Sequence, residues 1–130
     1  MKRHISLTVF AAALALSGAA SAQDFVQSGT SERLPQTDGE AIYNAICSGC
    51  HMPDGAGAIG AGAYPALAGN ANLEAADYPI YLIINGQKAM PPLGSYLDDA
   101  QIASVVNYIR HNLGNNFEGE TDAAYVAQSR

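Results

Sequence analysis

Hydrophobic positions fall along this chain in distinct patterns. Ile5 to Leu16 is an apolar run broken only by Ser6 and Thr8. Helical spacing starts after Asp38, which is placed to cap a helix. Ile42 and Ile46 then share one face at i, i+4, with Tyr43 and Cys47 beside them. The pattern dissolves between Met52 and Ala63, where Gly55, Gly57, Gly60 and Gly62 preclude a stable helix or strand and predict a loop. Tyr64-Pro65-Ala66-Leu67 reads as a fixed turn with one apolar side chain, and Asn72 to Ala76 as a short helical turn capped by Asn72. Pro79 suits the first turn of a further helix, strongly apolar through Tyr81, Leu82, Ile83 and Ile84 and stopped by Asn85-Gly86. A buried strand is the rival reading of Ile80 to Ile84; helix is preferred because no second strand is available to pair with it.

The last long helix is the clearest. Asp98 caps it with Gln101 in capping-box position, and Gly114 ends it. Ile102, Val105, Val106, Ile109 and Leu113 fall within about 100° of one another. His111 points away from that apolar face. Asn115 to Arg130 is polar and acidic, with at most a weak helical turn over Ala123 to Ala127. It is expected to be mobile or to serve a partner.

These patterns divide the chain. Lys2, Arg3 and His4 precede the first apolar run, and Ala20-Ser21-Ala22 follows it as a small-x-small cleavage site. The run is shorter than the roughly 20 residues of a membrane span. Residues 1–22 are therefore expected to be a signal peptide cleaved after Ala22, the rival reading being an uncleaved anchor, and the mature chain to be soluble and periplasmic. Residues 23–37 read as a flexible arm, 38–114 as one compact unit and 115–130 as an acidic tail. The whole chain has a formal charge of −6, and removing Lys2 and Arg3 leaves four basic residues against twelve acidic ones, or −8. Such a surface argues against nucleic acid and anionic membranes and favours a basic partner patch. A unit this small buries a limited core, which a large apolar cofactor would complete.

Chemistry concentrates in Cys47-Ser48-Gly49-Cys50-His51, which holds both cysteines of the chain. The spacing suits covalent haem attachment: each thiol adds to one vinyl group and the adjacent imidazole reaches the iron. A disulfide would close too short a loop to gain much. A thioredoxin-like redox pair would want a βαβ context, and a zinc site would need further ligands, of which only His111 is a candidate. Met90 precedes Pro91-Pro92, so its backbone is pushed out of the helical region onto a stiff loop that can present the thioether in a fixed direction. Taken alone, Met90 would read as a core filler; with the cysteine motif upstream it reads as a second iron ligand.

Taken together, residues 39–114 resemble a class I c-type cytochrome. The opening Gly39, Tyr43, Cys47, Cys50, His51 has the family's spacing, Pro65 and Leu67 match its proline segment, Met90-Pro91 its sixth-ligand loop, and Val105 to Arg110 its terminal helix. The resemblance implies an all-α fold of three to five helices around one covalent haem c. It implies that the Pro65 carbonyl accepts the other N–H of His51, that Leu67 packs on the ring, and that His51 and Met90 bind the iron. It further implies a one-electron carrier rather than an enzyme, fed by a periplasmic dehydrogenase and discharging to the respiratory chain. A bound cytochrome subunit of such a dehydrogenase is the alternative, and a haem enzyme or gas sensor with an open iron a more distant one. The resemblance assigns no role to the arm before Asp38 or the tail after Gly114.

Overall fold

The structure, a computed structural model, describes residues 33–60 and 62–130. The leader read over residues 1–22 and residues 23–32 of the arm lie outside the described residues. Helix α1 (residues 39–51) is α-helical over Gly39–Ile42 and Ser48–His51, with one wide turn at Tyr43–Cys47 between them. A ribbon of β1 (Ala58–Ile59) and β2 (Ala63–Tyr64) follows, then α2 (Asp77–Asn85), α3 (Asp99–His111) and α4 (Ala123–Ala127). The chain is thus mostly helical.

The caps appear where the sequence places them. The Asp38 carboxylate accepts the Ala41 N–H at 3.0 Å. Asp98 and Gln101 close a reciprocal box, each side chain accepting the other's backbone N–H at 2.9 Å. Pro79 lies in the first turn of α2, and Gly86 stops that helix with φ +69°. Ile80 and Ile83 are buried, as a core-facing helix requires.

Two local expectations need correction. The glycine-rich stretch does hold strands: Ala58 pairs with Tyr64 and Ile59 with Ala63. Two residues per strand is a small demand, and Gly60 and Gly62 sit in the turn, where Gly60 N–H donates to Gly62 O at 2.8 Å. The short turn expected at Asn72 to Ala76 is a 3₁₀ turn at Ala71–Leu73, capped by Asn70, whose side chain accepts from Asn72 N–H at 3.0 Å.

Helices α1 and α3 cross at Gly39. A Cβ there would stand 2.3 Å from Ser104 O and 2.8 Å from Tyr108 Cβ, so the approach requires glycine. One turn along, the rings of Tyr43 and Tyr108 meet at 5.5 Å between centroids, tilted by 45°. The core gathers around this crossing from Ile42, Tyr43, Leu73, Ile80, Ile83, Leu97, Ile102, Val105, Val106 and Ile109. The expected apolar face of α3 is buried, Leu113 partly so.

Burial on α3 is wider than its apolar stripe, because both flanking segments cover it. The segment expected to be a mobile tail is folded onto α3. Val126 is fully buried, and Arg110, 5 % exposed, donates to four backbone carbonyls: Leu73 (3.1 Å), Glu74 (3.0 Å), Glu118 (2.7 Å) and Gly119 (2.7 Å). Buried charge is tolerated when its donors are satisfied in this way. Asn107 exchanges hydrogen bonds with the Thr121 backbone, both at 2.9 Å. The end of the arm is also held: Gln101 Nε2 donates to Leu34 O (2.6 Å) and Gln36 O (2.7 Å). Hydropathy missed both segments because they are fixed by backbone carbonyls rather than by apolar periodicity.

Candidate functional site

The wide turn of α1 ends at Cys47. There Ser48 N–H reaches back five residues to Tyr43 O, a π-type bond that inserts an extra residue into the helix just before the motif. Tyr43 is locked in turn by its hydroxyl, which donates to Met52 O at 2.7 Å, and burial pushes its phenol up to about 12. The helix then carries Cys50 and His51 and stops at Met52, whose φ is +66°.

His51 Nδ1 lies 2.9 Å from Pro65 O. A carbonyl oxygen only accepts, so Nδ1 carries the hydrogen and donates it. In the neutral ring Nε2 is then left with a free lone pair, the form that binds a metal. Backbone contacts between two nearby segments hold Pro65 in place. Gly57, at φ +69°, lets the chain pass so close to Pro65 that a Cβ would stand 2.4 Å from Tyr64 O and 2.8 Å from the Pro65 carbonyl carbon. Gly57 N–H donates to His51 O (3.0 Å), and Gly55 O accepts from Leu67 (2.8 Å) and Ala68 (2.9 Å). Asn115 completes the seat, donating to Leu67 O at 2.8 Å and accepting from Asn70 N–H at 3.0 Å. Leu67 is half-buried against the core.

Cys47 is half-buried, Cys50 is exposed, and both are free thiols. Burial, and secondly the proximity of Cys50, push the Cys47 thiol up to about 12. A thiol so protonated at neutral pH is unlike the acidified cysteine of a redox pair. Among the described residues no three His, Cys, Asp or Glu side chains gather as a zinc site would need.

An apolar cleft of about 320 Å³ is lined by Leu34, Ile46, Pro91, Leu93, Tyr96 and Leu97; none of the candidate residues lines it, but Ile46 and Pro91 are chain neighbours of Cys47 and Met90. Ile46 precedes Cys47 and Pro91 follows Met90, so this one cleft brings the attachment helix and the methionine loop together. Met90 is half-buried, and its N–H and carbonyl are both bonded to Gln87, at 2.9 Å each. Gly86 packs under the loop: a Cβ there would stand 2.6 Å from Met90 O and 2.7 Å from Pro92 N. The cleft's largely apolar lining, the free Nε2 of His51 and the two free thiols of the same helix together fit a flat, covalently attached apolar ring carrying a metal.

His111 is elsewhere. Its Nε2 donates to Gly119 O at 3.1 Å, and it borders a second, polar hollow of about 300 Å³ with Asp38, Glu40 and Asn107. That hollow contains none of the candidate residues. The residues that sequence reasoning missed are Gly57, Gly86 and Asn115, which position others. The close-set glycines were the signal for the first two; Asn115 gave none, since it follows Gly114 as any linker residue would.

Among the described residues no helix is long and apolar enough to cross a membrane. The family described as cytochrome C oxidase, cbb3-type, subunit III matches residues 35–109. The chain is 34 % identical over 94 residues to the fructose dehydrogenase cytochrome subunit of Gluconobacter japonicus, covering 61 % of this chain and 19 % of that one. It is 33 % identical over 86 residues to cytochrome c6 of a Synechococcus strain, covering 63 % of this chain and 74 % of that one. It is 32 % identical over 105 residues to the cytochrome c subunit of the quinone alcohol dehydrogenase of Gluconobacter oxydans, covering 71 % and 22 %. The chain thus spans about a fifth of the length of the two dehydrogenase subunits and about three quarters of the cytochrome c6. Matched by the family over residues 35–109 and by a cytochrome c6 over most of that protein's length, the chain belongs to the c-type cytochromes, as a class I cytochrome that binds haem c covalently and carries electrons.

Proposed function

We propose that Cys47 and Cys50 form the two thioether bonds, and that His51 Nε2 and Met90 Sδ are the iron ligands. Bound there, haem supplies one-electron chemistry through its iron. The residues around it hold and exclude. The Pro65 carbonyl fixes the tautomer and direction of His51 and raises its basicity as a ligand. Leu67 packs against the ring. Ile46, Pro91, Leu93 and Leu97 keep water from it, and the thioether of Met90 favours the reduced state. With His51 and Met90 both on the iron, the chain would leave no metal position open to a substrate and would act as a carrier without enzymatic turnover of its own. The observation that carries this reading is the His51–Pro65 hydrogen bond, which leaves Nε2 free.

The carrier works in the periplasm, accepting electrons from a dehydrogenase and passing them to the respiratory chain. Two relatives named as dehydrogenase cytochrome subunits support this choice of donor, and they equally support the reading of this chain as a bound subunit. Gel filtration of the native extract separates the two: a free carrier elutes alone, a subunit with its dehydrogenase.

The ligand set is tested by the near-infrared sulfur-to-iron band of the oxidised protein. It should be present in the native chain, absent in Met90→Ala and retained in His111→Ala. Loss of the band in His111→Ala would overturn the assignment, as would its survival in Met90→Ala.

A further inference from the structure

The turn after Met90 is gripped from both ends of the described chain, by residues outside or at the edge of the family match. Arg130 donates from Nη1 to Gly94 O (2.6 Å) and from Nη2 to Leu97 O (2.9 Å), while its Nε pairs with Asp99. At the other end, Leu34 N–H donates to Tyr96 O at 3.3 Å, and Arg33 lies 3.7 Å from Asp98. The match begins at residue 35 and ends at residue 109, so Arg33, Leu34 and Arg130 all lie beyond it.

The placement of these cations is unusual. Both arginines meet the N-terminus of α3, where the helix dipole disfavours positive charge. Each is offset by an aspartate of that helix end, and Arg130 adds two carbonyls of the turn. Leu93, Tyr96 and Leu97 on this turn line the cleft, and Leu93 N–H is tied to Ile83 O at 2.8 Å. Between the turn and Met90 stand only Pro91 and Pro92, which fix their own φ and transmit displacement rather than absorb it. Whatever holds residues 93–97 therefore adds to what Gln87 and Gly86 do in holding the seat of Met90.

We propose that the segments flanking the family domain form a clamp on the 93–97 turn, with Arg130 as a positioning residue that sets how readily Met90 yields its place to another ligand. This rests on the reading of Met90 as an iron ligand. The strength of the methionine bond is then governed by a segment that shares no residue with the haem motif.

The test is an imidazole titration of the oxidised holoprotein, followed by loss of the near-infrared band, with the urea midpoint measured alongside. Arg130→Ala should bind imidazole on the order of tenfold more tightly, the effect of losing one charged hydrogen bond. Arg130→Lys, which keeps the charge but not the fork, should fall between. Asn107→Ala loosens the same segment at Thr121, away from the turn, and should leave imidazole affinity within about twofold. Unchanged affinity in Arg130→Ala would overturn the proposal, as would an equal change in Asn107→Ala, which would mark a general loss of stability. Should Arg130→Ala fold poorly, Asp99→Ala gives the second arm; it should shift affinity in the same direction, and no shift would count against the clamp. A native protein with no near-infrared band would instead overturn the Met90 assignment beneath it.

Discussion

Around His51, most bonds that orient the ring come from the chain just downstream. Pro65 O takes the Nδ1–H, Gly57 N–H returns to His51 O, and Gly55 O ties down Leu67 and Ala68. On the Met90 side Gln87, Gly86 and Ile83 are nearby and the turn that follows bonds within itself, but Leu34 and Arg130 hold that turn from far off in sequence. Short loops close at little entropic cost and hold independently of the rest. Contacts from distant segments share the fate of those segments. The difference separates a rigid side, which keeps its histidine, from a yielding side, where exchange and regulation of the second ligand would act.

Breaking the rigid side should have the largest effect. Gly57→Ala meets both a positive φ and a backbone 2.4 Å from the new Cβ. It should destabilise by about 3 kcal/mol or more and reduce the yield of mature holoprotein. Gly69→Ala is the control: its φ is +59° but nothing lies within 4 Å, so it should lose only about 1 kcal/mol. Equal losses at the two glycines would mean that the approach to Pro65 is not tight in solution.

Next comes Arg110→Met, which removes the root of the C-terminal segment and leaves four carbonyls short of a donor. A loss of about 2–4 kcal/mol in urea unfolding is expected. A loss under about 1 kcal/mol would show that water replaces the guanidinium easily.

Gly86→Ala tests the local part of the Met90 seat. The added Cβ must push on Met90 O and Pro91-Pro92. The near-infrared band should vanish and the midpoint potential fall, since the thioether is what favours reduced iron. Retention of the band would place the seat in the distant contacts alone.

The smallest effect concerns charge. Glu118 and Glu120 are exposed, whereas Asp122 caps α4 by accepting Tyr125 N–H at 2.8 Å. Glu118→Gln with Glu120→Gln should therefore change stability by under about 0.5 kcal/mol. Reduction by a basic donor should slow at low salt, and the difference should disappear as screening shortens to roughly 8 Å. A rate indifferent to both salt and substitution would mean that docking is apolar.

The sequence made much of the rigid side legible. Cys47, Cys50, His51 and Pro65 lie close together, and their chemistry demands that spacing. The caps at Asp38 and Asp98 and the stripe on α3 were legible for the same reason, because their partners are three or four residues away. The clamp was not. Its residues Arg130 and Leu34, like Asn115 on the histidine side, act through backbone carbonyls far off in sequence, and such acceptors leave no mark on hydropathy or spacing. Acidic composition suggested a mobile tail, yet Val126, fully buried, and Phe117, partly buried against the core, accompany the segment as it folds back.

The contrast between the two sides is tested most directly by amide hydrogen exchange of the holoprotein, native against Arg130→Ala. The amides of Met90, Leu93 and Leu97, which bond Gln87 O, Ile83 O and Leu93 O, should exchange on the order of tenfold faster in the variant. Those of Gly57, Leu67 and Ala68 should be unchanged. Equal acceleration on both sides, or none on either, would contradict the division between a histidine side held mainly by nearby chain and a methionine side held also from distant segments.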